Sequence, residues 1–329
     1  MTQHSAGRGF ERSTSLAAAL AATRDDDAGE VEVPTSDLAC TDPERFGVAL
    51  ATVDGGLFSA GDATAQFTIQ SISKALVYAM AIDECGWSRV IEMVDVEPSG
   101  EAFNRISIEE KSNRPDNPMI NAGAMTIHAL IGGPGADADD RAERIVRMLS
   151  RAAGRQLEVD AQTHEAELDG ADRNLAIAHM LRSLEILPDD PRDVVDGFLR
   201  QCAVLVDAQD LALMGATLAN CGAHPLTGER VFSAEAARLT MSVMITCGMY
   251  SSAGDWTTSV GLPAKSGVAG GILGALPGCL GIGSFSPRLD RHGNSVRGQE
   301  LLARLADELD LHLLDPDHWS PTARWRSLA

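Results

Sequence analysis

The sequence predicts an α/β protein of the α+β kind: an antiparallel sheet flanked by helices, assembled from both ends of the chain, with an all-helical domain inserted in the middle. Three observations predict it. Strand signals with a tight turn occupy residues 46–58, helical periods dominate from residue 71 to about residue 222, and glycine-punctuated strands return after residue 258 before a closing helix. The expected boundaries are an N-terminal helix within 1–24, a sheet domain made of 25–70 together with 230–315, a mainly helical domain over 71–229 and a tail over 316–329.

Each element has its local reason. "ERSTSLAAALAATRDDD" superficially resembles a signal peptide, but its apolar segment holds only two leucines, so a short helix starting near Ser13 and ending before Asp25 is expected. "FGVALATVDGGLF" reads as a hairpin turning at Asp54-Gly55-Gly56, with the return strand ending near Gly61-Asp62. "QFTIQSISKALVYAMAI" passes from a β-like triplet into a helix read from Ser71, whose apolar positions Ile72, Ala75, Leu76, Ala79 and Met80 form one stripe. "ADDRAERIVRMLSRAAG", "RNLAIAHMLRSL", "PRDVVDGFLRQCAVL" and "AQDLALMGATLANCG" are helical, and Gly154 and Gly222 mark two C-termini. "SAEAARLTMSVMITCGMY" opens on Ser233 as a cap with Glu235 in its first turn. "VGLPAKSGVAGGILGALPGCLGIGSFSP" gives strands with a turn at Pro277-Gly278, and "SVRGQELLARLADELDLHLL" closes as a helix.

Composition excludes several functions. With 329 residues, 44% of them apolar and 22% charged, the chain can bury a sizeable core. Lysine plus arginine number 27 against 47 acidic residues, a net charge of −20, which leaves no electrostatic footprint for nucleic acid. No later segment carries an apolar run long enough for a bilayer, so no membrane partner is expected. Six cysteines (Cys40, Cys85, Cys202, Cys221, Cys247, Cys279) lack C-x-x-C pairing, and no His/Cys cluster has zinc spacing. They read as reduced core thiols of a cytoplasmic protein without a metal.

Ser71 and Lys74 stand at i and i+3, about 5–6 Å apart at Cβ, close enough for a neutral amine to take the hydroxyl proton. Almost two hundred residues later "LPAKSGVAGG" places Lys265-Ser266-Gly267 on a strand. A lysine–hydroxyl–glycine strand facing an S-x-x-K helix resembles the penicillin-recognising serine enzymes.

"SISK", "NPMINAGAM", "DRNLAIAHM", "QCAVLVDAQDLALMGATLANCG", "GERVFS", "CGMY" and "GLPAKSGVAGGI" together resemble the serine-dependent glutaminase family, which has a β-lactamase-like fold, from about Gly47 to Arg297. The resemblance implies hydrolysis of L-glutamine to L-glutamate and ammonia without a cofactor, by a homodimer or homotetramer. It implies Ser71 as nucleophile, Lys74 as base, Tyr250 as proton shuttle to the leaving ammonia, and Lys265 as a supporting residue. It also implies an oxyanion hole from the N–H groups of Ser71 and Val268. Asn121, Glu167 and Asn174 match the family's glutamine ligands; Glu165 and Asp169 are the carboxylates that a shifted register would put in place of Glu167. A carboxylate there suits an α-ammonium and amide donors suit an α-carboxylate.

The chain departs from the family in its tyrosines. It has only Tyr78 and Tyr250, and Pro34 and Phe198 stand where the family places pocket tyrosines. Tyr78 is about 10 Å along the helix axis from Ser71 and does not substitute; Thr35 or Ser36 could compensate in part. Each lost hydroxyl removes a hydrogen bond of about 0.5–1.5 kcal/mol. The departures keep two alternatives open: a hydrolase of another small amide or ester on the same scaffold, and a weakly active amino-acid-binding member.

Overall fold

The computed structural model describes residues 16–31, 42–99 and 112–315. Residues 16–23 form α1, followed by β1 (Glu30–Val31), β2 (Gly47–Thr52), β3 (Leu57–Gly61) and β4 (Phe67–Thr68). The helical stretch runs through α2 (Ser73–Cys85), α3 (Trp87–Met93), α4 (Asn121–Leu130), α5 (Ala138–Ala153), α6 (Ala161–Asp169), α7 (Asp172–Ser183) and α8 (Pro191–Cys202). After β5 (Leu205–Val206) come α9 (Ala208–Ala219), α10 (Ala234–Cys247) and α11 (Ala253–Ser259). Strands β6 (Ala264–Ser266), β7 (Gly271–Leu276), β8 (Leu280–Phe285) and β9 (Arg288–Leu289) precede α12 (Val296–Glu308).

The main sheet is antiparallel in the order β3-β2-β8-β7-β6, so its centre joins the two ends of the sequence. Val48 lies opposite Ser284 and Leu50 opposite Ile282, while Lys265 on the edge strand lies opposite Leu273. The turn Asp54-Gly55-Gly56 closes the first hairpin, with Gly55 at φ 93°. A second pair, β1 with β9, and a third, β4 with β5, lie outside the sheet.

Helix α9, which sequence order counts with the helical block, lies across β2, β7 and β8. The approach is so close that a Cβ on Gly281 would overlap the backbone nitrogen of Ala216. Helices α1 and α12 cover the other face, where Leu16, Leu20, Leu301 and Leu305 bury against Val48 and Ile282.

Helix α2 differs from the single amphipathic stripe expected of it. Ser73 through Ala79 are buried without interruption, because α3, α4, α5 and α10 pack against the helix. Nor does it begin at Ser71: Gln70–Ile72 form a separate 3-10 turn, and α2 starts at Ser73. No side-chain cap closes either start, so Ser71 is not a capping serine. Ser233 does cap α10, accepting from the Ala236 N–H at 3.0 Å. Gly154 ends α5 with φ 72°, whereas α9 stops at Ala219 and Gly222 lies beyond its end.

Candidate active site

The turn carrying Ser71 is wedged between sheet and helices. β4 pairs with β5, the Ile69 N–H donates to Val204 O at 2.8 Å, and the Phe67 ring stacks on Phe285 of β8 with centroids 4.1 Å apart. From the other side the turn after β6 presses in: a Cβ on Gly267 would lie 3.0 Å from Ile69 O and 3.3 Å from the Gln70 side chain. That contact brings Gly267, the residue before Val268, to the Ser71 turn.

Gln70, which spacing did not single out, has φ 50°. A non-glycine residue in this region costs about 1–3 kcal/mol and persists where neighbours over-determine it. Two neighbours do so. Ser73 Oγ donates to Gln70 O at 2.7 Å and itself accepts from Gln201 Nε2 at 3.1 Å. Gln201 Oε1 pairs with His128 Nδ1 at 3.0 Å. This polar chain is wholly buried, and burial pushes the His128 imidazolium down to about 4, so the ring is neutral. Gln201 precedes Cys202 in "RQC"; the sequence offers no other sign that it reaches the Ser71 turn.

Lys74 is 2% exposed and Ser71 7%. Lys74 Nζ donates to Asn121 Oδ1 at 2.6 Å and to Met119 O at 3.3 Å. Burial pushes its ammonium down to about 8, with a small opposing effect from Cys202. Asn121 Nδ2 donates to Asn174 Oδ1 at 3.0 Å, joining the start of α4 to α7. Gln70 Nε2 donates to Glu167 Oε1 at 2.6 Å, which ties the carboxylate directly to the residue before Ser71. Glu167 lies half-buried on α6, while Glu165 and Asp169 are exposed.

The opposite wall is built by Tyr250 and β6. Tyr250 follows α10 in a short 3-10 turn, Tyr250–Ser252, with φ 52°. Its hydroxyl donates to Ser266 O at 3.3 Å, and Lys265 Nζ donates to the same carbonyl at 2.7 Å. Lys265 Nζ also lies 3.9 Å from the centroid of the Tyr250 ring. Burial first, and then the charge of Lys74, hold the Lys265 ammonium well below its ordinary value, with Cys247 acting the other way. Two cavities open on Tyr250, of about 520 Å³ toward Asn117 and Met119 and about 1300 Å³ toward Glu30 and Asp290.

Phe198 takes a place different from an open pocket wall. It is 2% exposed, sits in the cluster of Ile120, Met125 and Leu199, and its ring centroid lies 5.9 Å from Lys74 Nζ. It borders the site through the lysine. Tyr78 is 1% exposed and buried within the helical core. Pro34, Thr35 and Ser36 lie outside the described residues. Among the described residues no group of His, Cys, Asp and Glu is arranged to hold a metal ion, and no helix is long and apolar enough to cross a membrane.

Comparison with known proteins meets this geometry. The glutaminase family model matches residues 29–314. A glutaminase of Corynebacterium glutamicum is 50% identical over 297 residues, covering 90% of this chain and 72% of the relative. A glutaminase of Microcystis aeruginosa is 44% identical, covering 87% and 84%. Among solved structures, Mglu in its glutamate form superposes with a TM-score of 0.88 at 51% identity over 92% of this chain and 70% of that one. A Bacillus glutaminase superposes with a TM-score of 0.84 at 34% identity, over 92% and 100%. A family model spanning most of the length, over a site joining an S-x-x-K turn to a lysine-bearing strand, means that the chain belongs to the glutaminase family.

Proposed function

We propose that the protein hydrolyses L-glutamine to L-glutamate and ammonia through an ester on Ser71. Family membership supports the reaction; the observation that carries the mechanism is the buried Lys74 amine, held by Asn121 and Met119 beside the Ser71 turn. A lysine with its pKa at about 8 has a useful neutral fraction near neutral pH.

In this reading Lys74 accepts the Ser71 hydroxyl proton as Oγ adds to the γ-carboxamide carbon. The N–H groups of Ser71 and Val268 hold the oxyanion. The C–N bond then breaks, the departing nitrogen takes the Tyr250 hydroxyl proton, and Tyr250 recovers one from the Lys74 ammonium, leaving the γ-glutamyl ester and ammonia. Water adds to the ester with Lys74 as base, and the proton returns to Ser71 Oγ as glutamate leaves. Lys265 fixes Ser266 O, the carbonyl that Tyr250 also uses. Glu167 receives the α-ammonium, Asn121 and Asn174 the α-carboxylate. A homodimer or homotetramer, as the family resemblance implies, in the cytoplasm, as the cysteines without C-x-x-C pairing suggest, acting on this small molecule alone, completes the reading.

The departure at Phe198 favours a second reading, a different small amide or ester as substrate. The test is ammonia release from glutamine by the purified protein, alongside asparagine and a chromogenic cephalosporin. Release from glutamine at least a hundredfold above the others is expected; turnover of another substrate first would install the second reading, and turnover of none would leave an amino-acid-binding protein.

A further inference from the structure

Tyr250 stands in a left-handed backbone conformation, φ 52°, that its side chain disfavours. One segment, 290–294 between β9 and α12, brackets it. Asn294, fully buried, donates from Nδ2 to Ser252 Oγ at 2.7 Å, and Ser252 Oγ donates onward to Met249 O at 2.8 Å, so the two bonds span the tyrosine from the residue before it to two residues after. Ser251 Oγ pairs with His292 Nδ1 at 2.8 Å. His292 Nε2 lies 2.9 Å from Arg291 Nε, which can only donate. Nε2 is therefore the bare nitrogen, Nδ1 carries the proton, and the ring donates to Ser251. A Cβ on Gly293 would lie 3.8 Å from Tyr250 Cε2 and 3.6 Å from Val268 Cγ1, so the segment's backbone abuts both the tyrosine and the oxyanion wall. The segment is itself fixed: the Asp290 carboxylate accepts from His292 N at 2.8 Å, Asn294 N at 3.0 Å and Gln299 Nε2 at 3.0 Å.

We propose that Asn294 and His292, acting through Ser252 and Ser251, are positioning residues that hold the Tyr250 hydroxyl where the leaving amine collects its proton. This rests on the proton-donor role given to Tyr250 above. Neither residue touches the reacting atoms, so their loss should depend on the leaving group. An amide needs its nitrogen protonated as the C–N bond breaks; the γ-p-nitrophenyl ester of glutamate releases a stable anion and does not.

The experiment is kcat/KM on glutamine and on that ester for the unmodified protein and for Tyr250→Phe, Ser252→Ala, Asn294→Asp and His292→Ala. Asn294→Asp keeps the shape and removes the donor. Ser252→Ala and Asn294→Asp should lose roughly tenfold to a hundredfold on glutamine and less than about threefold on the ester, as a small misplacement of a proton donor predicts. His292→Ala, nearer the surface, should show the same selectivity more weakly. Tyr250→Phe should show it most strongly, and adding Ser252→Ala to it should cost nothing further. Equal losses on both substrates for Tyr250→Phe would overturn the proton-donor role itself. Amide-selective loss for Tyr250→Phe, with Ser252→Ala and Asn294→Asp silent or damaging both substrates equally, would overturn the positioning role alone. Where Asn294→Asp does not fold, Ser252→Ala and His292→Ala decide.

Discussion

The turn that carries Ser71 and the turn that carries Tyr250 each contain one non-glycine residue with a left-handed backbone, Gln70 at φ 50° and Tyr250 at φ 52°, yet they are held by different means. The Ser71 turn is locked from within, by the buried chain from Ser73 through Gln201 to His128. The Tyr250 turn is locked from outside, by a segment near the C-terminus that partly faces solvent. The difference suits the tasks proposed for them. A base must stay dry to keep a lowered pKa, and the same burial that brings Lys74 down to about 8 requires buried partners for every polar group around it. A proton shuttle must pass a proton to a departing amine at the edge of a cavity, and Tyr250 lines two of them.

Breaking the dry turn should cost most. Ser71→Ala should remove glutaminase activity, to below a few per cent of kcat, without moving the melting temperature; Lys74→Ala should do nearly as much, and the double variant little more, because the two act as a unit. Kinetics and thermal melts on the three proteins check this, and additive losses would separate the two residues. Glu167→Gln should raise KM for glutamine by the equivalent of about 2–3 kcal/mol, the worth of a charge-assisted bond. A KM that does not move would take the α-ammonium away from Glu167.

Smaller effects sharpen the contrast through pH. In the proposed mechanism Lys74 acts as base only when neutral, so kcat/KM should rise with pH by one deprotonation and level off above about 8. A flat profile from pH 6 to 9 would remove it as the titrating base. His128 contributes to stability instead. Its pKa is lowered to about 4 in the fold, so the unfolded chain binds the proton first as pH falls. Stability is fully present above about 6.5 and should drop by on the order of 3 kcal/mol between there and 4. His128→Gln should flatten that part of a denaturation-against-pH series.

The smallest effect expected concerns Phe198. Phe198→Tyr should lower KM for glutamine by up to about tenfold, the worth of one hydrogen bond of about 1 kcal/mol or slightly more. Its ring is buried under Lys74. A drop in melting temperature with unchanged kinetics would mean that the new hydroxyl points into the apolar cluster and finds no partner.

The two turns also differ in how far the sequence discloses them. Ser71 and Lys74 announce themselves by spacing, because three residues on a helical path suffice to make neighbours. The hairpin at Gly55, the cap at Ser233 and the turn at Gly278 are legible for the same reason: each is decided within a few residues. Gln201, His128, Asn294 and His292 carry no local signal. Their partners lie 73 and 128 positions away in one chain and 42 and 41 in the other, distances that only tertiary packing closes. The helical period of α2 misleads for a related reason: burial of Ser73 through Ala79 by four other helices leaves that stretch no solvent face for a stripe to define. Phe198 shows the limit of a motif, since matching a position does not say whether a ring lines the pocket or lies beneath it.

Covalent catalysis at Ser71 is tested by acid-quenching the protein during turnover of glutamine and digesting it for mass spectrometry. A γ-glutamyl ester is expected on the peptide that contains Ser71, absent from Ser71→Ala and from protein quenched without substrate. Full turnover with that peptide unmodified, or the acyl group found on another residue, would contradict it.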